Sequence, residues 1–152
     1  MPKAKRFASG FSLIEIMIVI GIIAILAAIA VPNYSDYIRR GKITEGLAQL
    51  SSLRLQMEQY FQDNRTYQTV PAAGTNCGLA TPATKYFTYA GVCGNPPPST
   101  YTITATGIAA QGTGGFIYSI DQSNNKLTVT ATAWPNIAAN TTCWVIRADG
   151  TC

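Results

Sequence analysis

Histidine is absent from the 152 residues, and only 12% of them carry charge. Without an imidazole there is no Ser-His-Asp triad, no histidine general base and no mixed cysteine-histidine zinc site. The acidic residues are few and scattered, with no pair that spacing would bring together in a cleft. A phosphate-binding loop is also missing: "GTGG" at Gly112 to Gly115 is glycine-rich, but no helical pattern follows it, and a plain loop accounts for it. The sequence therefore calls for no catalytic residue, no metal and no cofactor, and it points away from an enzyme.

The formal net charge of +4 does not indicate an anionic partner, because Lys3, Lys5 and Arg6 fall in the first six residues. Without those three the remainder is nearly neutral. Cysteine is scarce too, with four residues at Cys77, Cys93, Cys143 and Cys152. No two stand at finger or ribbon spacing, so two disulfides in an exported domain are the better reading than zinc or reactive thiols. Proximity in the chain favours Cys77 with Cys93 and Cys143 with Cys152, one of three complete pairings.

What the chain does have is a long apolar run. From Phe11 to Val31 there are 21 residues, which span roughly 31 Å as a helix, close to the ~30 Å hydrocarbon thickness of a bilayer. A secretory signal is the simpler alternative, with "AIA" at Ala28 to Ala30 as its cleavage site. The run, however, is longer than an ordinary signal's apolar region. One residue fits neither reading: Glu15 is a carboxylate, which costs about 2 to 3 kcal/mol in hydrocarbon on insertion scales. No basic side chain occurs between Phe11 and Ile38, so its counter-ion must be a new terminus, a neighbouring chain or the membrane surface.

The stretch "GFSLIEIMIVIGIIAILAAIAVPNYSDYIRR" resembles the N-terminus of type IV pilins and minor pilins. The matching features are a short basic leader ending at Gly10, then Phe11, Glu15 at the fifth position after the cut and Pro32 at the twenty-second. The resemblance implies cleavage between Gly10 and Phe11 by a prepilin peptidase, N-methylation of Phe11, and pairing of Glu15 with the terminal amine of an adjacent subunit. It divides the chain into a leader at 1–10, a transmembrane and filament-core helix at 11–32, and a globular head at 33–152. It also implies a single-pass protein of the bacterial inner membrane that becomes part of an extracellular pilus. The partners implied are other pilin subunits in a homo- or hetero-polymer and a pilus assembly platform.

Beyond Pro32 the pattern becomes one-sided. Leu47, Leu50, Leu53, Met57, Tyr60 and Phe61 recur at three- or four-residue spacing, the period of an amphipathic helix whose apolar face covers a core. Helix is expected from about Ser12 to about Asn64. Pro32 removes a backbone donor and predicts a kink, with Gly21 and Gly41 as weaker points. The resemblance adds that Gly21 to Pro32 can lose helicity in filaments, a merely kinked helix being the alternative in the isolated subunit.

After "DNRTY" the composition turns to Gly, Pro, Thr, Asn and Ala. "TNCGLATPATKYFTYAGVCGNPPPS" reads as a long irregular connection, because its prolines cannot donate to a ladder. Strands are expected at "TYTITAT", "GFIYSI", "KLTVTAT" and "CWVIR", with a hairpin turn at Asp121 to Asn125. The expected fold is α+β, a long N-terminal helix packed on a three- to four-stranded antiparallel sheet with a disulfide-closed C-terminal loop. The resemblance supports the pairing of Cys143 with Cys152.

The leading functional reading is a structural type IV pilus subunit. Its alternatives are a DNA- or surface-binding minor pilin and a pseudopilin of a type II secretion system. For DNA the candidates are Lys85, Lys126 and Arg147, with Tyr86, Phe87 and Tyr89 as stacking rings beside Lys85. Twitching motility, adhesion and DNA uptake all remain open as the use of the fibre.

Overall fold

The computed structural model describes residues 11–69, 77–94 and 99–152. The leader, Gly10 and the Pro96 to Pro98 run lie outside the described residues. Helix α1 runs Leu13–Asn64, followed by β1 at Phe87–Cys93, β2 at Tyr101–Gly107, a short 3-10 turn at Ala109–Gln111, β3 at Phe116–Asp121 and β4 at Lys126–Ala131. The chain divides into two compact units, Met1–Tyr37 and Ile38–Cys152.

In the first unit the described residues are helical from Leu13 onward and almost all exposed, including the apolar run. The helix is uninterrupted from Gly21 through Pro32. Proline removes one N–H and crowds the preceding turn; one residue on, Asn33 Nδ2 donates to Ile29 O at 2.9 Å. Glu15 lies in the first turn, where the positive end of the helix dipole favours a carboxylate.

The second unit is a helix laid on a sheet. Ile43, Leu47, Leu50, Leu53 and Met57 are buried at helical spacing, and each fully buried side chain of this size contributes about 1.5 to 3 kcal/mol. The sheet order is β1-β2-β3-β4, and every neighbouring pair is antiparallel. Phe87, Tyr89 and Cys93 of β1, Tyr101, Ile103 and Ala105 of β2, and Phe116, Tyr118 and Ile120 of β3 join the helix stripe in one core. A register shift between Ile117 and Tyr118 marks an irregularity in the β3–β4 pairing.

Two strand assignments from the sequence are corrected. The stretch read as an irregular connection contains β1, because Phe87–Cys93 is free of proline and alternates between buried and outward positions. Its prolines bracket the strand rather than interrupt it. The inward glycine, Gly91, leaves space that Leu79 and Cys77 take, since a Cβ there would stand 3.0 Å from Leu79 Cδ2 and 3.3 Å from Cys77 Sγ. Conversely, "CWVIR" is not a strand. Among the described residues, strand-like pairing beyond β4 is limited to the isolated Thr128–Thr141 bridge. Past it the Thr128 hydroxyl donates to Cys143 O and accepts from Val145 N–H at 2.9 Å. A side chain thus satisfies backbone groups that a ladder would otherwise use.

Cys77 is bonded to Cys93 and Cys143 to Cys152, with Cα separations of 5.4 and 6.0 Å. The first bond ties the end of β1 to the segment entering the sheet, and the second closes the C-terminal loop. At the β3–β4 turn, Asp121 accepts from Ser123 N–H and Asn125 N–H at 2.9 Å each and from Asn125 Nδ2 at 2.7 Å. Asn124 adopts a positive φ of 62°, a conformation asparagine tolerates better than most residues.

Candidate functional site

Of the described residues singled out near the N-terminus, Glu15, Gly21 and Pro32 lie on one exposed helical segment, and Phe11 stands two residues before it begins. Phe11 is 78% exposed, and Glu15 stands among exposed Leu13, Ile14, Ile16, Met17 and Ile18. A carboxylate within an otherwise apolar surface can pair with a cation once water is excluded, and the driving force for exclusion comes from its neighbours. Along α1 one 18-residue window has a mean hydropathy of 3.0, long and apolar enough by length and composition to cross a membrane. Gly21 and Pro32 both lie within the continuous helix, and a Cβ at Gly21 would meet nothing within 4 Å.

The basic and aromatic residues considered for nucleic acid do not form a single surface. Phe87 is 1% and Tyr89 7% exposed, so both rings belong to the core and are unavailable for stacking on bases. Period-two alternation explains why: they are inward residues of β1, whereas Tyr86 precedes the strand. Tyr89 also donates its hydroxyl to Gly46 O at 3.0 Å, fastening β1 to α1.

Tyr86 alone of the three is partly open. It is flanked by two ammonium groups, Lys85 Nζ at 5.4 Å and Lys42 Nζ at 5.5 Å from the ring centre, distances at which cation–π attraction operates. Lys42 also donates to Gln111 O at 2.7 Å. Sequence reasoning missed Lys42 because it is far from Lys85 in the chain; its place beside the apolar stripe, one residue before Ile43, was the available signal.

Lys126 stands elsewhere, with Nζ 4.9 Å from the centre of the Trp144 ring. The Trp144 indole is held by donation from Nε1 to Ser119 O at 2.9 Å. Beside them is an open concavity lined by residues including Thr102, Asp121, Asn124, Asn125, Lys126 and Leu127. Arg147 belongs to the C-terminal loop near Asp149. Hydrogen bonds from Thr151 hold the Asp149 carboxyl below its usual range, with help from Arg147 and Arg40.

The remaining titratable cluster is structural. The Glu58 carboxylate on α1 accepts from Tyr67 Oη at 3.1 Å and Tyr101 Oη at 3.0 Å. Burial, followed by this carboxylate, pushes both phenols above their ordinary range. Among the described residues, no group of three or more His, Cys, Asp or Glu side chains is gathered as a metal site would need. The chemistry open to this surface is association through apolar area, one carboxylate and dispersed cations.

Comparison with known proteins gives two family matches. A model described as type IV minor pilin ComP, DNA uptake sequence receptor, matches residues 32–115. A model of the prokaryotic N-terminal methylation motif matches residues 5–31. Among similar chains, a type IV major fimbrial protein FimA of Dichelobacter nodosus strain VCS1703A is 44% identical over 71 residues, 46% of this chain and 44% of the relative. A second Dichelobacter nodosus FimA is 46% identical over 75 residues, covering 49% of this chain and 46% of the relative. The chain thus spans less than half the length of these relatives. Among solved structures, a type IV pilin from Shewanella oneidensis aligns with a TM-score of 0.45 at 12% identity, covering 58% of this chain and 89% of that one. The Neisseria meningitidis non-core minor pilin PilV aligns with a TM-score of 0.48 at 15% identity, covering 63% and 91%.

Proposed function

Because the chain belongs to the type IV pilin family, we propose that it is a structural subunit of a type IV pilus. It is cut between Gly10 and Phe11 by a prepilin peptidase and N-methylated on Phe11. Its apolar helix holds it in the inner membrane as a single-pass protein until an assembly platform inserts it among other pilin subunits. The observation that carries this reading is the exposed apolar face of α1 with Glu15 as the single charge among its first residues.

Assembly replaces lipid around that face with equivalent helices, so packing and lipid release drive it. Glu15 supplies register, because a carboxylate in that layer is tolerated only opposite a cation, and the new amine of an adjacent Phe11 is such a cation. Pro32 and Gly21 mark where the helix yields when subunits pack. Two measurements test the reading. The mass and N-terminal sequence of the mature protein should give N-methyl-Phe11; a terminus at Val31 would overturn it in favour of a secretory signal. Glu15→Ala should abolish filaments while leaving the chain folded, and wild-type filament numbers in that variant would remove the pairing.

A second reading, a DNA-binding minor pilin, is favoured by the family model over residues 32–115, whose description names a DNA uptake sequence receptor. Its contact residues would be Lys85 and Tyr86 on one patch and Lys126 on a separate one beside Trp144, without Phe87 and Tyr89. A salt-dependent DNA mobility shift that disappears in Lys85→Glu/Lys126→Glu supports it, and no shift at low salt excludes it.

A further inference from the structure

The concavity beside Lys126 has no part in packing through the apolar helix. Its volume is about 590 Å³, within the roughly 300 to 1,000 Å³ of small-ligand sites, and all of its lining residues belong to the second unit. Thr102 and Asp121 are cross-strand partners on β2 and β3, and Ser119 shares the outward face with Asp121 because side chains alternate along a strand. Lys126 and Leu127 line it from the start of β4, and Thr142 from the segment beyond. Three of these residues carry hydroxyls, Thr102, Ser119 and Thr142, and among the described residues none of the three hydroxyls makes a hydrogen bond. Ser119 stands out because it is only 7% exposed, and buried hydroxyls are normally paired. A polar atom left so at the base of an open concavity is satisfied from the concavity, by water or by a ligand that displaces water.

We infer that this concavity binds a neutral saccharide, one or two sugar units at the end of a glycan. Charge selects against a polyanion: the Lys126 ammonium is offset by the Asp121 carboxylate in the same lining, and that carboxylate repels phosphates. The hydrogen-bonding groups select a polyhydroxylated ligand. Asp121 only accepts, Lys126 only donates, and the hydroxyls and the amides of Asn124 and Asn125 do both, a mixture that sugar hydroxyls match because each of them donates and accepts. Asp121 is held in place beforehand by three hydrogen bonds from its own turn, so little ordering is left for the ligand to impose. Leu127 offers apolar surface to the C–H face of a sugar ring, and the Trp144 indole, anchored on Ser119 O, borders the same place. Lys126 lies over that indole but is exposed, and cation–π attraction at an exposed site is weak enough for the ammonium to move aside.

The test uses the full chain in micelles of a detergent without a sugar headgroup, titrated with maltose, lactose, cellobiose or diacetylchitobiose and followed by amide chemical shifts. At least one disaccharide should bind with a Kd of about 1 mM, the order expected of an open site with few contacts. The shifts should fall on Ser119, Asn124, Lys126 and the Trp144 indole N–H, and the affinity should not change with salt because no ion pair forms. Ser119→Ala and Asn124→Gly should each weaken binding about three- to ten-fold, the effect of one lost hydrogen bond. Glycine keeps the positive φ of position 124, so the second variant removes the amide without straining the turn. Lys85→Gln, beside Tyr86, should bind as the unaltered protein does. If Ser119→Ala disturbs the fold, visible in its amide spectrum, Asn124→Gly at an exposed turn carries the test alone.

Failure of all four disaccharides to move these signals at about 20 mM overturns the inference. Binding that is unchanged in the folded variants also overturns it, since the sugar then sits elsewhere. So does a DNA duplex that moves the same signals at low salt when no disaccharide does, which would assign Lys126 to nucleic acid. The saccharide site lies wholly in the second unit and is independent of the pilus reading, which fails on the N-terminal mass instead.

Discussion

At the scale of the residue, Glu58 joins helix to sheet by accepting two phenolic hydrogen bonds from side chains far apart in the chain. Hydrogen bonds to a charged acceptor contribute more than neutral ones, so Glu58→Ala should destabilise the protein by about 2 to 4 kcal/mol, read from urea unfolding in micelles. The buried phenols make a separate prediction. Tyr67, Tyr89, Tyr101 and Tyr118 are all raised above their ordinary range, with burial as the leading cause. The unfolded phenols ionise near pH 10 and the folded ones higher. Their contribution is therefore intact below about pH 10 and lost as the pH rises through the folded values. Phenolate absorbance should lag behind that of free tyrosine and then rise together with unfolding. Gly46 is constrained by space: a Cβ would stand 2.6 Å from Phe87 Cε2, on a ring fixed in the core. Gly46→Ala gains about 1 kcal/mol of helix propensity and loses about 1 to 3 kcal/mol to overpacking. A net loss of about 1 kcal/mol is expected in the same assay.

Among the elements, the two disulfides brace different parts of the sheet. Chain entropy assigns about 3 kcal/mol to the loop between Cys77 and Cys93 and slightly less to that between Cys143 and Cys152. Cys93 is buried at the end of β1 and Cys152 is exposed at the chain end. Replacing Cys77 and Cys93 by serine should therefore lower the urea midpoint more than replacing Cys143 and Cys152. The legibility of these elements differed for physical reasons. The amphipathic half of α1 was readable because its apolar period of three to four is sustained from Ile43 to Met57. β2 and β4 were readable because threonine and β-branched residues alternate cleanly. β1 was hidden by nearby prolines and by Gly91, whose inward place is filled by Leu79 and Cys77. "CWVIR" has strand composition, yet the hydroxyl of Thr128 takes the backbone groups that a fifth strand would have paired.

For the whole molecule, the two units expose surfaces of different polarity. The first exposes Phe11, Leu13, Ile14 and the apolar residues that follow, more contiguous apolar surface than a soluble protein tolerates. The second has its own core from Ile43 to Val145. A chain comprising residues 38–152 should be soluble and monomeric without detergent, whereas the chain from Phe11 onward should require micelles or elute as aggregate. Size-exclusion chromatography distinguishes these outcomes, and aggregation of 38–152 would show that its core depends on the preceding helix.

The amino-acid order by itself determined the apolar run, the isolated carboxylate at Glu15, the one-sided helix and the α+β class, because each rests on local composition or on a period within a single element. Tertiary structure alone decided which rings are available at the surface. Tyr86 remains open between Lys42 and Lys85, while Phe87 and Tyr89 turn inward. It also decided that Glu58 meets two tyrosines. Side-chain direction in a strand depends on its register with its neighbours, and contacts between distant residues form only once helix and sheet have packed.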